Sequence, residues 1–340
     1  MTYAGRGDKY AGTTGLCPVC ATDAAGRYIE EQDGMYLYLT CAAHGGFREQ
    51  VERDAAAFRK RYEQEYEKGP AHFVLPVTYR CNLKCSNCYT LSNCMEAFPA
   101  DRPVAHLAGF LRAHRGNIML AGGEPTVRED LPLLVRAARE FAPKRKVSVA
   151  TNGQKLRSIE YAKTLKESGV DFIFLSHNDR GYEMSDEIYR NKTAAIESCR
   201  KVGLPIWLSR TIDNLSQIDS LKELLEKYGR IVFNVTLRTA KPFGPITPAR
   251  QLFVSDIVKY LGKEKEWSPG RNPFNCYVRL QGKQVKICSW VYDVKRLDPV
   301  DDDYLISDDT IVPFHRGTKM DETILFSRTF RKAETSGSPA

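Results

Sequence analysis

The 340-residue sequence predicts an α/β fold, a partial (β/α)6 TIM-like barrel with a small N-terminal module and a C-terminal extension. Apolar runs recur six times in the middle of the chain, amphipathic stretches separate them, and the alternation ends near residue 241. Continuous apolar runs are typical of buried parallel strands, and alternation with helices is typical of a parallel sheet. Functional residues are then expected at the carboxyl ends of the strands.

The predicted elements divide the chain into five parts. The six strands are expected at residues 73–78, 117–121, 146–151, 171–176, 205–211 and 231–237, and the crossover helices at 104–112, 129–141, 159–168, 185–201 and 217–228. A helix over residues 54–68, rich in alanine and charge, should end before Gly69-Pro70. We therefore predict an N-terminal module (1–54), a linker helix (55–72), the barrel core (73–241), a C-terminal cap (242–330) and a disordered polar tail (331–340).

Composition narrows the class of protein. No apolar run approaches the roughly 20 residues of a membrane span, and the N-terminus lacks the apolar core of a signal peptide, so we expect a cytoplasmic location. Ten cysteines favour metal binding or catalysis over disulfides. The net charge of +8 suits ordinary surface lysine and arginine, or attraction to nucleic acid or an anionic substrate. The basic stretches are short, so nucleic acid is not expected as a partner.

Two pairs of metal-ligand residues, CPVC at Cys17 and Cys20 and CAAH at Cys41 and His44, flank a stretch that predicts a β-hairpin turning at residues 33–34. Three cysteines and a histidine are a common tetrahedral set for structural zinc, and the spacing lets both members of each pair reach one ion. The alternatives are rubredoxin-like iron and unligated thiols. A module this small needs a metal to fold, which counts against unligated thiols. We predict a zinc-ribbon-like module.

Three further cysteines, Cys81, Cys85 and Cys88, lie in one loop, YRCNLKCSNCYT, directly after the first predicted barrel strand. Three thiolates at this spacing can hold three irons of a [4Fe–4S] cluster. Electron-transfer clusters normally take four cysteines, so one iron stays open for a small molecule. Cys94 is not at a ferredoxin-like spacing. A zinc site or three unrelated buried thiols is the alternative, but the flanking residues favour the cluster.

The cysteine loop, AGGEPT at residues 121–126 and ATNG at residues 150–153 together resemble the radical S-adenosylmethionine (SAM) superfamily over residues 73–241. The resemblance implies that the amino and carboxylate groups of SAM chelate the open iron. It implies that the reduced cluster cleaves SAM to a 5′-deoxyadenosyl radical, which abstracts hydrogen from a small-molecule or lipid-like substrate. A one-electron donor such as flavodoxin or ferredoxin is then required. The alternative is a non-catalytic iron–sulfur or zinc protein for electron transfer or assembly.

The same resemblance suggests SAM contacts. It assigns Gly122, Gly123 and Glu124 to the SAM amino group, although Gly-Gly-Glu-Pro also suits a plain βα turn. Many members carry an aromatic residue just before the third cysteine, whereas this chain has Asn87 there and Tyr89 after it. The remaining candidate contacts are Tyr89, Asn152, Ser176, Ser209, Arg210 and Arg238.

Three of these candidates have a second interpretation. Asn152 also suits a turn, Arg210 a salt bridge at the barrel rim, and Arg238 the binding of an anionic substrate. The CPVC…CxxHG pattern over residues 17–47 is similar to a module of the tetraether lipid synthase-like subgroup.

The C-terminal extension contains a predicted hairpin at residues 275–290 that carries Cys276 and Cys288. We expect the hairpin to close over the barrel mouth and to place Cys288 near the active site. There a thiol can donate hydrogen to a substrate radical, so both cysteines are candidate catalytic residues. Alternatively the pair, with Cys94, ligates a second iron–sulfur cluster, which we do not favour, or is buried as small apolar residues.

Overall fold

The computed structural model describes residues 11–17, 22–63, 72–85, 88, 92, 100–113, 116–240, 251–270, 274–289, 305–306 and 331–332. Two predicted site residues, Cys20 and Tyr89, lie outside them, as does Cys94. None of the described helices has the length and apolar character needed to cross a membrane.

The described chain alternates strands and helices through its central part. The N-terminal part contains β1 (Ala11–Leu16), β2 (Asp23–Glu31), β3 (Gly34–Cys41), β4 (Gly45–Glu52) and α1 (Ala55–Tyr62). The barrel strands are β5 (His72–Thr78), β6 (Asn117–Gly122), β7 (Val147–Thr151), β8 (Phe172–Ser176), β9 (Ile206–Ile212) and β10 (Val232–Thr239). The helices that connect them are α2 (Val104–Ala113), α3 (Leu131–Phe141), α4 (Ile159–Glu167), α5 (Asp186–Val202) and α6 (Gln217–Tyr228). The C-terminal part contains α7 (Val254–Tyr260), β11 (Ser268–Pro269), β12 (Asn275–Leu280), β13 (Lys283–Cys288), β14 (Leu305–Ile306) and β15 (Arg331–Lys332).

The strands β1 to β4 form an antiparallel sheet, and the predicted hairpin in this module joins β2 to β3. Gly34 closes its turn with a φ of 147°, and a Cβ at this position would lie 2.3 Å from the carbonyl oxygen of Glu52. The tail expected to be disordered contributes one strand: β15 pairs with β4, with Arg331 opposite Arg48.

The six predicted barrel strands are parallel neighbours in chain order, β5 to β10. Each of these strands is an apolar run bounded by turns and connected to the next by an amphipathic helix, which is why the sequence predicts the strands. In α3, for example, Leu131, Leu134, Val135 and Ala138 are buried at helical spacing. The linker helix α1 begins after its N-cap Asp54, as predicted, but its described part ends at Tyr62.

The C-terminal hairpin does not close over the barrel mouth, contrary to the sequence prediction. Its second strand, β13, pairs in parallel with β10 and so becomes a seventh parallel strand of the sheet. Its first strand, β12, pairs antiparallel with β13. The free edge of β10 presents backbone N–H and C=O groups that β13 satisfies, which is why the hairpin extends the wall.

Side chains alternate between two faces of this sheet because successive strand residues point in opposite directions. Val149, Ile173 and Val235 share one apolar core with helix residues such as Leu134 and Leu165, so the helices cover this face. We call the opposite face the lumen face. The described apolar residues of the lumen face form a smaller cluster that includes Val74, Met119, Ala121, Phe172, Phe174 and Trp207.

The N-terminal module packs against α1 and against Phe274, the residue before β12. The rings of Tyr28 and Phe58 lie 5.2 Å apart, and those of Phe58 and Phe274 lie 5.9 Å apart. These rings and neighbouring aliphatic side chains form one apolar cluster. The module is therefore attached to the same hairpin that extends the barrel wall.

A buried carboxylate reinforces this attachment. Glu52 at the end of β4 accepts from the Arg61 guanidinium of α1 at 2.5 Å, and both side chains are almost fully buried. The same carboxylate accepts from the hydroxyl of Ser255 in α7 at 2.5 Å and from its N–H at 3.2 Å. Segments about 200 residues apart in sequence thus share one buried charge.

Replacing Glu52 with glutamine should lower the free energy of unfolding by about 3–5 kcal/mol, because Arg61 would remain buried without its counter-ion. Urea unfolding followed by circular dichroism measures the loss. The matched control, Glu30→Gln, removes an exposed pair with Arg59 and should cost less than about 1 kcal/mol. Equal losses in the two variants would contradict the buried link.

Candidate functional site

The residues that we call the cluster loop, 81–88, leave β5 at the carboxyl edge of the parallel strands. Cys81, Cys85 and Cys88 are each partly exposed. Burial raises the pKa of Cys81 to about 12 and that of Cys85 to about 11. Such thiols ionise at neutral pH only when a cation compensates the charge, as a bound metal does. Thiolates are the ligands that [4Fe–4S] clusters take, so three cysteines on one short loop fit such a cluster by their donor chemistry.

Two glycines bring the end of β6 against the backbone that enters the cluster loop. The N–H of Gly123 donates to the carbonyl of Thr78, and that of Glu124 to the carbonyl of Arg80, both at 2.8 Å. A Cβ at Gly122 would lie 2.0 Å from the Thr78 oxygen, and one at Gly123 would lie 2.4 Å from the Tyr79 oxygen. The Gly-Gly pair thus makes possible a close approach of two backbones, whatever ligand binds nearby.

The carboxylate of Glu124 joins the ends of β6 and β7 and is itself buried. It accepts from the Thr126 hydroxyl at 2.5 Å, the Thr151 hydroxyl at 2.7 Å and the Asn152 N–H at 2.6 Å. Burial raises the pKa of Glu124, and these hydrogen bonds oppose that effect. The side chain is therefore committed to the loops around it.

Asn152 lies beside the cluster loop. Its side-chain amide donates to the Asn82 side chain at 2.8 Å and lies 3.9 Å from the sulfur of Cys81. Its carbonyl oxygen accepts from the N–H of Gln154, so it also caps the turn after β7. The structure confirms the turn interpretation of this residue, and its predicted contact with SAM stays a prediction. Thr151 of β7 pairs with Leu175 of β8. The next residue on each strand is therefore a neighbour of the other, which places Ser176 beside Asn152.

Arg210 does not face the lumen, and the structure does not support its predicted contact with SAM. It lies on the helix-facing side of β9 with Leu208 and is 1% exposed. Its guanidinium donates to the carbonyl of His177 at 3.2 Å and to the hydroxyl of Ser220 at 2.8 Å. Burial lowers the pKa of Arg210 to about 10 and that of His177 to about 3. Arg210 therefore connects β8, β9 and α6 inside the protein, which also differs from a salt bridge at the rim.

The lumen face of β8 to β13 has three layers, which the strand register defines. The floor layer contains Phe174, Trp207, Asn234, Gln284 and Arg279. The middle layer contains Ser176, Ser209, Thr236, Lys286 and Tyr277. The upper layer, nearest the carboxyl edge, contains Thr211, Arg238, Cys288 and Asn275.

Hydrogen bonds connect these layers. The indole N–H of Trp207 donates to the Thr236 hydroxyl at 2.8 Å. The Arg238 guanidinium donates to the Ser209 hydroxyl and lies 5.4 Å above the Phe174 ring. Three of the predicted residues, Ser176, Ser209 and Arg238, therefore share one wall of the lumen.

Cys276 and Cys288 lie on opposite faces of the hairpin, which rules out a shared role for the two sulfurs. Cys276 packs in the helix-covered core with Val278, and burial raises its pKa to about 12. Cys288 pairs with Arg238 in the sheet register and therefore points to the lumen, and its sulfur donates to the Leu237 carbonyl at 3.5 Å. The structure thus supports neither a catalytic Cys276 nor a second cluster that uses this pair.

In the N-terminal module, Cys17, Cys41 and His44 converge. Their ligand atoms all lie within 4.8 Å of one another. The His44 Nδ1 lies 3.6 Å from the Cys17 sulfur and 3.7 Å from the Cys41 sulfur. Tetrahedral zinc with ordinary bond lengths separates a sulfur and a nitrogen ligand by about 3.6 Å. The N–H of Ala43 is the main cause that lowers the pKa of Cys41 to about 6, which favours the thiolate. These residues fit zinc.

Sequence reasoning did not identify the lumen residues Thr236, Lys286 and Trp207, or the buried ion pair in which Lys192 of α5 lies 2.7 Å from Glu183. A signal for the first group exists. The segments VFNVTLRT and KQVKIC alternate apolar and polar residues, as a strand with one polar face does. No comparable signal marks Lys192, which sits among ordinary charged residues of an amphipathic helix.

Comparison with known proteins finds family matches over two parts of the chain. Residues 75–227 match the Radical SAM superfamily, and residues 9–53 match the HMPTM N-terminal zinc ribbon domain. The 7,8-dihydro-6-hydroxymethylpterin dimethyltransferase of Methanocaldococcus jannaschii is 31% identical over 226 residues, which cover 56% of this chain and 44% of the relative. The Fe-coproporphyrin III synthase of Methanosarcina barkeri is 31% identical over 198 residues, which cover 51% of this chain and 48% of the relative.

Among solved structures, Streptococcus suis SuiB bound to S-adenosylmethionine is similar with a TM-score of 0.44 and 14% identity, covering 70% of this chain and 67% of that chain. The chain spans about half the length of the curated relatives named above. Those relatives are named enzymes, which argues against the alternative of a non-catalytic iron–sulfur protein. Residues 75–227 are a Radical SAM superfamily domain, which implies SAM and a [4Fe–4S] cluster.

Proposed function

We propose that this enzyme cleaves SAM reductively at a [4Fe–4S] cluster on Cys81, Cys85 and Cys88, and that the resulting 5′-deoxyadenosyl radical abstracts hydrogen from a small-molecule substrate. The observation that carries the proposal is the position of the cluster loop. It continues β5 at the carboxyl edge of seven parallel strands, next to Asn152 and to the Gly-Gly-Glu segment. The cluster, when reduced by a donor such as flavodoxin or ferredoxin, supplies the electron for cleavage.

The chain's own residues hold and enclose the reactants. The backbone of residues 122–124 and the side chains of Asn152 and Ser176 form the edge next to the cluster loop, and we assign SAM to this edge. Tyr89 remains a candidate for the adenine contact. Ser209 and Arg238 lie one and two strands beyond Ser176. We therefore assign this part of the wall to the substrate, where the strands exclude water from a reactive radical.

A planar heterocyclic substrate is better supported than a lipid-like one. The names of the relatives specify a hydroxymethylpterin and a coproporphyrin, both planar nitrogen heterocycles. The floor layer offers aromatic side chains, with the rings of Phe174 and Trp207 centred 5.8 Å apart. Aromatic walls bind flat rings through stacking and edge-to-face contacts.

We propose that Cys288 donates a hydrogen atom to the substrate radical. Its S–H bond breaks as the new C–H bond forms, and the thiyl radical left on the sulfur takes a proton from solvent and an electron from the one-electron donor that also reduces the cluster. Among the described thiols outside the cluster loop, Cys288 is the one that faces the lumen, in register with Arg238. We further propose that Cys17, Cys20, Cys41 and His44 bind a structural zinc. The module packs on the hairpin that carries Cys288, so the zinc would support the lumen wall from outside.

Cys85→Ala should lose most of its bound iron and form no 5′-deoxyadenosine from SAM, because two thiolates do not retain the cluster in the geometry that leaves one iron open. Iron analysis after anaerobic reconstitution, followed by chromatography of the reduced reaction, measures both. The control is Cys276→Ala, which removes a core thiol and should keep the iron. Wild-type iron content together with wild-type SAM cleavage in Cys85→Ala would contradict the proposal.

Cys41→Ser should reduce zinc from about one ion per chain and lower the midpoint of thermal unfolding, because a structural zinc contributes folding energy. Metal analysis of protein purified without added iron tests this. Cys199→Ala, in the helix-covered core, is the matched control and should keep its zinc. Unchanged zinc in both variants would refute the site.

With a substrate that supports turnover in D2O, wild-type enzyme should deliver deuterium from the exchanged Cys288 thiol to the product. Cys288→Ala should form product without this deuterium or accumulate a substrate radical visible by EPR. Mass spectrometry measures the deuterium in the product, and EPR detects the radical. Undiminished deuterium in the variant would assign the donor role elsewhere.

A further inference from the structure

Two buried hydroxyl groups in the middle layer of the lumen have a hydrogen left to donate. Thr236 is 2% exposed and Ser209 is 7% exposed. Each accepts a hydrogen bond, Thr236 from the indole of Trp207 and Ser209 from the guanidinium of Arg238. Within the described part of the chain, neither hydroxyl donates one. A buried donor without an acceptor is costly, so a bound acceptor at this place is favoured.

Two cationic side chains flank these hydroxyls. Lys286 pairs with Thr236 in the sheet register, is 7% exposed and lies in the same layer. Arg238 is two residues beyond Thr236 on β10 and bonds to Ser209. Ammonium and guanidinium groups are donors with no acceptor capacity. Two cationic donor groups and two hydroxyl groups therefore lie close together around Thr236.

The lumen-facing register positions described on β8, β9, β10, β12 and β13 include no aspartate or glutamate. Their residues are aromatic, hydroxyl, amide, thiol or cationic. A surface of donors and positive charge suits a ligand group that only accepts hydrogen bonds and carries negative charge. Carboxylate and phosphoryl groups have this character.

The carboxylate of SAM is a poor candidate for this ligand group. In the proposed function it chelates the open iron of the cluster, beside Cys81 and Asn152. Arg238 is three strands beyond Asn152 in the sheet, and Lys286 is four strands beyond it. Three interstrand spacings of about 4.8 Å amount to roughly 14 Å along the wall. One carboxylate does not reach both places.

We propose that Thr236, Ser209, Lys286 and Arg238 form a binding site for an anionic group of the substrate, a carboxylate or a phosphoryl group. The inference rests on the proposed function in taking the ligand to be the substrate. It adds the chemical class of that substrate: a planar heterocycle over the aromatic floor layer, with its negative group toward β10 and β13. Radical chemistry then takes place on the part of the substrate that faces the cluster loop.

The test is calorimetric titration of the 340-residue protein with inorganic phosphate and, separately, with acetate, at ionic strength held constant with chloride. Wild-type protein should bind at least one of them, and the preferred ion identifies the group as phosphoryl or carboxylate. Lys286→Met should weaken binding about tenfold or more, because it removes a charge-assisted hydrogen bond, and Thr236→Val should weaken it about threefold to tenfold.

Matched controls exist for both substitutions. Thr239→Val removes a buried hydroxyl from the helix-covered face of the same strand, where Thr239 donates to Ser289. Lys283→Met removes an ammonium from the other end of β13. Both should bind the anion within about twofold of wild type. Ser209→Ala serves in place of Lys286→Met if circular dichroism shows that the latter does not fold.

Three results would overturn the inference: no anion binding by wild-type protein, equal binding by the lumen variants and their controls, or an equal loss of SAM affinity in Lys286→Met. The last would assign the site to the SAM carboxylate. The anion titration requires neither SAM nor a reductant. Failure of the proposed function would appear separately, as absence of 5′-deoxyadenosine from the reduced wild-type enzyme.

Discussion

The carboxyl end of β6 lies so close to residues 78–80 that no Cβ fits between the two backbones, and the candidate site depends on this contact. Hydrogen bonds from Gly123 and Glu124 fix the entrance to the cluster loop before any cofactor binds. The same contact directs the Glu124 carboxylate toward β7, where it holds the N–H of Asn152, and Asn152 in turn lies against Cys81. Backbone geometry therefore positions the thiols, and side chains extend that order to the next strand.

Buried ion pairs hold the segments around the site in place. Glu52 and Arg61 connect the N-terminal module to α1 and α7, and Lys192 and Glu183 fix the segment between β8 and α5. In exposed pairs such as Arg180 with Asp186, water and dissolved ions screen most of the attraction between the two charges. A buried pair contributes little net stability compared with apolar packing, but it strongly disfavours arrangements that separate the charges. These pairs therefore specify which segments meet.

The C-terminal hairpin extends the described lumen wall. As a seventh parallel strand, β13 adds Lys286 and Cys288 to a wall that β8 to β10 build from aromatic and hydroxyl side chains. The N-terminal module packs on the same hairpin through Phe274. The zinc-ribbon-like module thus packs against the outside of the lumen wall, and none of its described side chains lines the lumen. This position suits a structural role for the module.

The sequence by itself determined the elements of the barrel and the two groups of cysteine and histidine residues for which metal sites are proposed. Apolar periodicity and cysteine spacing are defined by residues close together in the sequence, so they can be recognised without the tertiary structure. The sequence did not determine that Arg210 turns toward α6, that Cys276 and Cys288 point to opposite faces, or that Thr236 and Lys286 share a layer. Those outcomes depend on strand register, and a shift of one residue moves every side chain to the other face. Register is set by packing and hydrogen bonding between segments far apart in sequence, so only the tertiary structure decides it.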